Sequence, residues 1–324
     1  MKTLRLGTRG SELALWQARA VAARLQEASA TPCEIVVIKT SGDRLAEAPL
    51  SEVGGKRLFV KEIEDALAGG EIDLAVHSGK DMPVVLPDGL GIGAVLPRED
   101  PHDVLILPPS RHLGEVTPET LRQQLGDTPR VGTSSVRRIA ELRRFLPHGR
   151  FEPIRGNLDT RLRKLDRGDH DVLVLAAAGV RRLGFTGRIS ATLPFDICIP
   201  APAQGAIVIE IRGDDAATRA RVAPIDDGPT SSQVTAERAL VAALGGGCQT
   251  PIGAIAVLDG DDLDLHAVVA SLDGARAVRG RLRGPRATAE DLGTRLAGQL
   301  IQEGAVEILE QVRRMQAPVD GIQP

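Results

Sequence analysis

Segments with the pattern of apolar β-strands alternate with helical segments in the first half of the chain, and the alternation occurs twice. The first run, alternating strand and helix, comprises residues 4–7, 11–28, 35–40, 58–67 and 72–77. The second run comprises residues 130–132, 136–146, 151–154, 158–167 and 171–176. Such alternation predicts largely parallel sheets covered by helices. The sequence therefore predicts an α/β fold with two similar lobes.

Proline-rich stretches at residues 97–101 and 194–202 bracket the second run, as two hinge strands between lobes would. A third break, at 224–232, precedes a different pattern. That pattern has a helix at 234–244, three strands between Ile252 and Leu282, and helices toward Glu310. Because 324 residues exceed what one hydrophobic core usually organises, a small C-terminal α+β domain is expected in addition to the two lobes.

Aromatic residues make up only 2% of the chain, so its cores must rely on Leu, Val, Ile and Ala. The single tryptophan, Trp16, is expected in a core. The three cysteines, Cys33, Cys198 and Cys248, have neither metal-ligand spacing nor an even number for disulfides, which is typical of a reducing cytoplasm. We therefore expect no bound metal.

The longest apolar run, residues 172–180, is far shorter than the ~18 residues that a membrane-spanning helix requires. Arg5, Arg9 and Glu12 interrupt the N-terminus where a secretory signal would be apolar. These observations predict a protein without a membrane segment that resides in the cytoplasm.

Residues 130–188 contain thirteen Arg and one Lys against six Asp and Glu, a local balance of 14 − 6 = +8 in a chain whose net charge is −3. Three turns share one design, in which Gly, Ser or Thr and an Arg precede a helix whose free N–H groups can bind anions. The residues concerned are Arg9 and Ser11; Ser134, Ser135, Arg137 and Arg138; and Arg155, Gly156 and Arg161. Together they predict a cleft for a ligand with several carboxylates or phosphates, although any single arginine of this kind is more often a solvated surface residue.

Two further segments have the residues for chemistry. Cys248 lies in the loop GGGCQTPIG, where glycines leave room for a covalent group, although an idle surface cysteine is the alternative. Asp81 in HSGKDMP is the best candidate acid, because an ionised carboxylate in an arginine-lined cleft could stabilise a cation forming on a substrate. It could instead only cap the turn. His77 is expected to be a strand residue rather than a base.

The segment of residues 42–57 lacks periodicity and is long for a connection, so it is either a lid or a surface insertion. The pattern G-x-G-x-x-A at Gly89–Ala94 is followed by Pro97 where a dinucleotide site needs a helix. The segment VGGKRLF lacks the features of a Walker loop. Nucleotide chemistry is therefore not expected.

Ten motifs occur in order between about Leu4 and Gly253: LALWQA, VGGKRLFVKEIE, HSGKDMP, REDPHD, GTSSVRR, RGNLDTRL, AAAGVRRLG, AQGAI, TAERA and GGGCQTPIG. In this order they resemble the porphobilinogen deaminase (hydroxymethylbilane synthase) family. The resemblance implies a cytoplasmic transferase of tetrapyrrole and heme biosynthesis. Such an enzyme joins four porphobilinogen molecules head to tail with release of ammonia, and water then frees hydroxymethylbilane.

The resemblance also implies that Cys248 carries a dipyrromethane cofactor through a thioether and that Asp81 is catalytic, while no metal, nucleotide or membrane takes part. The implied cofactor-binding residues are Lys80, Asp81, Thr133, Ser134, Ser135, Arg137, Arg138, Arg155, Gly156 and Arg161. The implied substrate-binding residues are Arg9, Ser11, Gln17, Phe59, Arg155, Arg182 and Gln204. We expect a monomer.

The family fold implies two lobes like those of periplasmic anion-binding proteins plus the third domain that carries the cysteine. The expected domains are residues 1–98 with 203–222, residues 102–198, and residues 225–324. Three sites depart from the family pattern: Glu52 stands in place of a frequent Lys, Gly79 in place of a frequent Met, and Pro202–Ala203 in place of Val–Gly. None of these changes removes a group that the reaction needs.

Two other functions are compatible with parts of the sequence. A non-catalytic, two-lobed anion receptor would need the arginines but neither Cys248 nor Asp81. Nucleic-acid binding by residues 130–188 is disfavoured, because stacking aromatics are scarce.

Overall fold

The computed structural model describes residues 2–44, 60–247 and 250–316. Its strands, in chain order, are β1 (Leu4–Thr8), β2 (Cys33–Val37), β3 (Leu74–Ser78), β4 (Leu90–Val95), β5 (Asp103–Ile106), β6 (Arg130–Gly132), β7 (Arg150–Glu152), β8 (Val172–Ala176), β9 (Ala191–Thr192), β10 (Ile207–Arg212), β11 (Ile252–Asp259), β12 (Asp262–Ala270) and β13 (Ala277–Pro285). They form two five-stranded sheets and one three-stranded sheet.

The helices are α1 (Glu12–Ser29), α2 (Ser41–Arg44), α3 (Lys61–Ala68), α4 (Thr120–Leu125), α5 (Val136–Arg143), α6 (Leu158–Asp166), α7 (Ala177–Arg182), α8 (Ala216–Val222), α9 (Gly228–Ala243), α10 (Ala289–Gln302) and α11 (Ala305–Gln316). Among the described residues, no helix is long and apolar enough to cross a membrane.

The first two sheets have equivalent topologies. The first has the order β2-β1-β3-β10-β4, with β1 parallel to β2 and β3 and with β10 antiparallel to both of its neighbours. The second has the order β7-β6-β8-β5-β9, and β5 takes the antiparallel place. The predicted α/β class with two similar lobes is confirmed. Four of the five strands in each of these sheets run in the same direction, so the expectation of largely parallel sheets is confirmed as well. The exceptions are β5 and β10, because each of these strands continues a connecting segment that enters its sheet from the opposite end.

Apolar side chains cover the two faces of each five-stranded sheet. Leu6, Val21 and Leu74 belong to one core of the first lobe, and Ile63 and Ile72 belong to the core on the other face. The second lobe likewise has two cores. Helix α1 begins where its pattern predicts, since Ser11 caps it by accepting a hydrogen bond from Ala14 N.

The third sheet, β11-β12-β13, is a purely antiparallel meander covered by α9 and α10. Helix α9 begins at Gly228, six residues before the predicted start at Val234. The predicted break at residues 224–232 therefore overlaps the first residues of α9. Asp227 caps the helix, and Pro229 is tolerated in its first turn, where no backbone N–H is needed.

Trp16 is not a core residue. Its side chain is on the surface of α1 and is 39% exposed, which contradicts the expectation drawn from its size and hydrophobicity. The face of α1 that packs on the sheet is formed instead by Ala18, Val21 and Leu25. Trp16 lies outside that face, because successive residues of a helix point about 100° apart.

Candidate functional site

The HSGKDMP motif forms the end of β3 and a tight turn after it. Gly79–Asp81 are one turn of 3-10 helix, and Gly79 N donates to Ala206 O of the connecting segment before β10. Asp81 is exposed, whereas Lys80 is half-buried. Burial lowers the pKa of Lys80 to about 8, with a smaller contribution from the nearby positive charge of Arg138, while Asp81 opposes the shift. Lys80 makes no hydrogen bond to any described residue, so its ammonium group is available to an anion.

His77 is a buried residue of β3, as predicted. Its Nε2 lies 3.0 Å from Glu210 Oε2 on the adjacent strand β10. Both side chains are almost inaccessible to solvent. This pair joins two strands of the first sheet and does not face the site.

The hydroxyl groups of the turn before α5 form hydrogen bonds with nearby backbone groups. Ser135 caps the helix by accepting from Arg138 N at 3.4 Å, and Thr133 Oγ1 accepts from Ser135 N at 3.3 Å. Ser134 Oγ bonds both backbone groups of Ile154. The three hydroxyl residues therefore fix the end of β6 relative to the residues after β7, and they place the first turn of α5 at this edge of the sheet.

Arg137 and Arg138 share one buried carboxylate, Asp103. Arg137 Nη1 lies 2.7 Å from Asp103 Oδ2, and Arg138 Nη2 lies 2.7 Å from Oδ1. Burial alone would raise the pKa of Asp103, but the two guanidinium groups hold it far below its usual range. Arg137 Nη1 also donates to Ile199 O, so this group is already engaged within the protein. Arg138 stays close enough to the cleft to lower the pKa of Lys80.

Arg161 is at the start of the neighbouring helix α6, which Asn157 caps. Its Nε donates to Gly156 O at 2.9 Å, and Gly156 has the positive φ of 107° that this turn requires. Burial and the charge of Arg138 lower the pKa of Arg161, while Asp81 opposes that shift. Arg161 of the second lobe therefore lies within electrostatic range of Asp81 in the first. Arg155 lies just before this turn and is half-buried.

Three predicted residues lie on or beside the start of α1. Arg9 is half-buried in the turn after β1, and Ser11 is the N-cap. Gln17 is buried, and its Nε2 has no acceptor among the described residues. A buried amide donor without a partner is unfavourable, which makes it a candidate to bind a ligand oxygen.

Arg182 ends α7 and extends across to the first lobe. Its Nη2 donates to Gly205 O at 2.6 Å, and its guanidinium lies over the ring of Trp16, 5.6 Å from the centroid. Burial lowers the pKa of Arg182 to about 10, and the negative charge of Glu99 opposes this. Gln204 is buried and donates from Nε2 to Pro101 O and to Asp103 Oδ1.

Two buried carboxylates have structural roles that were not predicted. Glu141 on α5 accepts from Ile199 N and from Arg279 of β13, and burial raises its pKa to about 7 although Arg137 opposes the shift. Glu237 on α9 binds Arg98 through both carboxylate oxygens. The available signal was the charged residues inside REDPHD and TAERA and just after GTSSVRR, whose partners lie far away in the sequence.

Two predicted residues, Cys248 and Phe59, lie outside the described residues, as does most of the segment of residues 42–57. The loop with Cys248 is described on both sides of that residue. Thr250 Oγ1 donates to Gly247 O, and Gly246 lies against Val241 and Ile252 of the third-domain core. Both sides of the loop therefore belong to the third domain.

Positive groups dominate the region where the two lobes face each other. Lys80, Arg161 and Arg182 lie there partly exposed, with Arg138 buried beneath them. The pKa of the three partly exposed residues is lowered because burial or neighbouring cations disfavour the charged form. A ligand with several carboxylates would relieve this cost. In the described part of the chain, no group of His, Cys, Asp and Glu side chains could hold a metal ion.

Comparisons with known proteins give a consistent result. The family model "Porphobilinogen deaminase, dipyromethane cofactor binding domain" matches residues 4–220, and "Porphobilinogen deaminase, C-terminal domain" matches residues 231–302. The chain is similar to the porphobilinogen deaminase of Trichlorobacter lovleyi, with 46% identity over 96% of this chain and 97% of that protein. It is 43% identical to that of Geotalea uraniireducens over 96% of this chain and 95% of the relative.

Among solved structures, the periplasmic VFT2 domain of Bordetella pertussis BvgS matches 69% of this chain and 86% of that chain, with 15% identity and a TM-score of 0.40. That likeness is too weak to support a conclusion.

Proposed function

The chain belongs to the porphobilinogen deaminase family, and on that premise we propose that the cleft between its two lobes is the active site. The reaction condenses four porphobilinogen molecules head to tail with release of ammonia, and hydrolysis then releases hydroxymethylbilane. Each pyrrole unit carries an acetate and a propionate. The growing chain is therefore strongly anionic and needs a cationic cleft.

One observation carries the proposal for the site. Lys80 and Asp81 of the first lobe interact electrostatically with Arg138 and Arg161 of the second, although the four residues come from three separate segments of the sequence. Asp81 is exposed beside these cations and forms an ion pair with none of them in the described structure. This is the arrangement expected for binding an anionic ligand while stabilising positive charge at one point.

The described residues fit the dipyrromethane cofactor, whose two pyrrole rings bring four carboxylates. Lys80 has no hydrogen-bond partner among the described residues. Burial lowers the pKa of Lys80 and of Arg161, as expected for cations that lack a bound anion. We propose that the cofactor is bound to Cys248 through a thioether. When bound, it supplies the tethered pyrrole end to which substrate units are added. The residues proposed to hold it are Lys80, Asp81, Thr133, Ser134, Ser135, Arg137, Arg138, Arg155, Gly156 and Arg161.

These residues contribute in different ways. Lys80 and Arg161 are suited to pair with carboxylates directly. Arg138 is buried and all three of its guanidinium nitrogens bond Asp103 or Val174 O, so it contributes chiefly its positive charge. The hydroxyls of Thr133, Ser134 and Ser135 already bond backbone groups of their own turns, so they support the cofactor chiefly by holding the start of α5 in place. Arg137 supports it by anchoring Asp103, and through that carboxylate it helps to fix Arg138.

Asp81 is proposed as the catalytic residue. Its carboxylate is exposed to the cleft and forms no ion pair with a described residue, so it can accept hydrogen bonds from pyrrole N–H groups. When ammonia leaves, positive charge develops on the substrate, and a fixed carboxylate stabilises that charge. The neighbouring cations are placed to pair with the acidic side arms of the substrate, which leaves the Asp81 carboxylate to the pyrrole N–H groups.

The substrate-binding residues proposed are Arg9, Ser11, Gln17, Phe59, Arg155, Arg182 and Gln204. Gln17 supports this role because it offers a buried amide donor that lacks an acceptor among the described residues. Gln204 is fixed in place because its Nε2 donates to Pro101 O and Asp103 Oδ1. Its Oε1 has no donor in the described structure and could accept from the substrate.

Intact-mass spectrometry tests the covalent part of the proposal. The purified protein should be heavier than its sequence by one dipyrromethane unit, and Cys248→Ala should have the sequence mass. A protein expressed with substrate available that shows only the sequence mass would refute the attachment.

Asp81→Asn tests the catalytic part. The variant should retain the cofactor mass and bind porphobilinogen, while turnover falls by at least about 100-fold, the scale for loss of a transition-state charge partner. An anion receptor would bind equally well with either residue and would show no turnover in the wild type.

We further propose that the protein acts in the cytoplasm as a monomer that binds neither nucleic acid nor a membrane. Its domains are proposed to be residues 1–98 with 203–222, residues 102–198, and residues 225–324. Sedimentation velocity with and without substrate would test the monomeric state.

A further inference from the structure

Trp16 is a large aromatic side chain that lies outside the hydrophobic cores of the protein. It is 39% exposed on α1, although burying an aromatic ring is one of the larger gains available to a folding chain. Its described ring contact is with Arg182, which belongs to α7 in the other lobe. The contact therefore joins two helices from opposite sides of the cleft.

Arg182 is held at two points. One N–H group of its Nη2 donates to Gly205 O at 2.6 Å, and the guanidinium lies over the Trp16 ring. No other hydrogen bond of its side chain to a described residue is present, and none of its nitrogens is buried without a partner. The remaining N–H groups are thus open to a ligand, while the face and one end of the guanidinium are fixed.

Glu99 lies near Arg182 without binding it. Its charge is close enough to act on Arg182, yet the two form no ion pair within 4.0 Å. Without the Trp16 ring beneath it, the Arg182 guanidinium would move toward the Glu99 carboxylate. Its N–H groups would then be occupied by that carboxylate. The ring of Trp16 attracts the guanidinium from the other direction, because the face of an indole is electron-rich.

The backbone of Gly205 also helps to fix the position of the Arg182 guanidinium. It has a positive φ of 88°, and an added Cβ would overlap Glu99 O. Its carbonyl accepts both Glu99 N and Arg182 Nη2, so the segment before β10 fixes the distance between these two residues. The orientation of Arg182 therefore depends on the ring and on this carbonyl.

We propose that Trp16 is a positioning residue for the deaminase reaction, which holds the Arg182 guanidinium ready to bind a carboxylate of incoming porphobilinogen. This inference rests on the proposed function of the cleft. The indole does not contact the reacting atoms, and it acts only through Arg182. Its loss should therefore weaken substrate binding and leave the chemical step nearly intact.

Steady-state kinetics of the holoenzyme test this. Trp16→Leu should raise KM for porphobilinogen by about 5-fold, the scale of one exposed cation–π contact, with kcat changed less than about 2-fold. Trp16→Phe keeps an aromatic face and should restore most of the affinity. The matched control is Phe145→Leu, which removes an Arg144–ring contact of the same 5.6 Å outside the cleft and should leave KM unchanged.

Fluorescence gives a second readout, since Trp16 is the only tryptophan in the chain. In an Asp81→Asn background, which prevents turnover, porphobilinogen should change the tryptophan emission, and Arg182→Gln should abolish that change. If Trp16→Leu and Trp16→Phe have the wild-type KM, or if both lose activity equally, the inference is wrong. If the wild-type holoenzyme has no turnover at all, the proposed function fails instead.

Discussion

Asp103 shows how strongly single side chains depend on partners that are distant in the sequence. The carboxylate is fully buried and accepts from Arg138, which is 35 positions away, while Gln204, 101 positions away, donates to the same oxygen. The Cys198 thiol lies 3.3 Å from the other oxygen. Such a buried carboxylate is stable only because all of these groups face it, so removing its charge should be costly.

Asp103→Asn should lower the free energy of unfolding by about 3–5 kcal/mol, because it removes the nearest counter-charge of two buried guanidinium groups. Urea unfolding at pH 7 measures this. The arginines hold the pKa of Asp103 below its unfolded value of about 3.9, so its stabilisation is present at neutral pH and is lost as pH falls below about 4. The gap between wild type and variant should narrow from pH 6 to pH 3, and a constant gap would contradict the assignment.

Gly79 and Ala203 are coupled departures from the family pattern. Ala203 has φ 58°, a conformation that favours glycine, and a Cβ at residue 79 would lie 2.8 Å from the Ala203 Cβ. The small residue at 79 thus leaves room for the larger one at 203. We expect the two changes to be non-additive.

Thermal unfolding of single and double variants checks this coupling. Gly79→Ala should destabilise the protein by about 1–3 kcal/mol through overpacking, and Ala203→Gly should relieve about 1 kcal/mol of backbone strain. In the double variant the cost of Gly79→Ala should shrink. It will not vanish, because Ala203 O lies 3.0 Å from the added Cβ. Strict additivity would mean that the two sites are independent.

At the scale of elements, α9 and α10 pack unusually closely. A Cβ at Gly293 of α10 would overlap Ala236 O of α9 and would lie 2.9 Å from the Ala239 Cβ. Neither helix can shift freely, because both also cover the third sheet. Periodicity predicted both of these helices, but it could not show that their backbones touch at this one glycine.

Gly293→Ala should lower the free energy of unfolding by about 1–3 kcal/mol, since the helices must move apart. Gly298→Ala is the matched control in the same helix. Nothing lies within 4 Å of a Cβ there, so the change should stabilise the protein by up to about 1 kcal/mol. Denaturant unfolding of both variants measures the difference, and effects of the same sign would contradict the close approach.

At the scale of the whole molecule, Glu237 joins the third domain to both segments that connect the lobes. Its two oxygens bind Arg98 at 2.6 and 3.1 Å, and they accept Ala203 N at 2.6 Å and Ala256 N at 2.8 Å. Arg98 and Ala203 belong to the two connecting segments, whereas Ala256 belongs to β11. One carboxylate therefore holds both connections against the third sheet.

Glu237→Gln should lower the free energy of unfolding by about 3–5 kcal/mol, because the buried Arg98 would lose its counter-charge. Asp65→Asn, which breaks the exposed pair with Lys61, should cost no more than about 0.5 kcal/mol. Chemical unfolding of the two variants gives the comparison. A loss below about 1 kcal/mol for Glu237→Gln would show that this junction contributes little.

The sequence by itself determined the alternation of strands and helices, the α/β class and the turns that carry Asp81, Arg138 and Arg161, because side-chain periodicity and capping residues act over a few positions. Only the tertiary structure decided that β10 returns to the first sheet, that Trp16 is exposed under Arg182, and that buried carboxylates join the lobes. These features depend on contacts between residues that are distant in the sequence, such as Arg98 with Glu237, 139 positions apart, and Trp16 with Arg182, which are farther apart still. Local patterns hold no information about which distant segments meet.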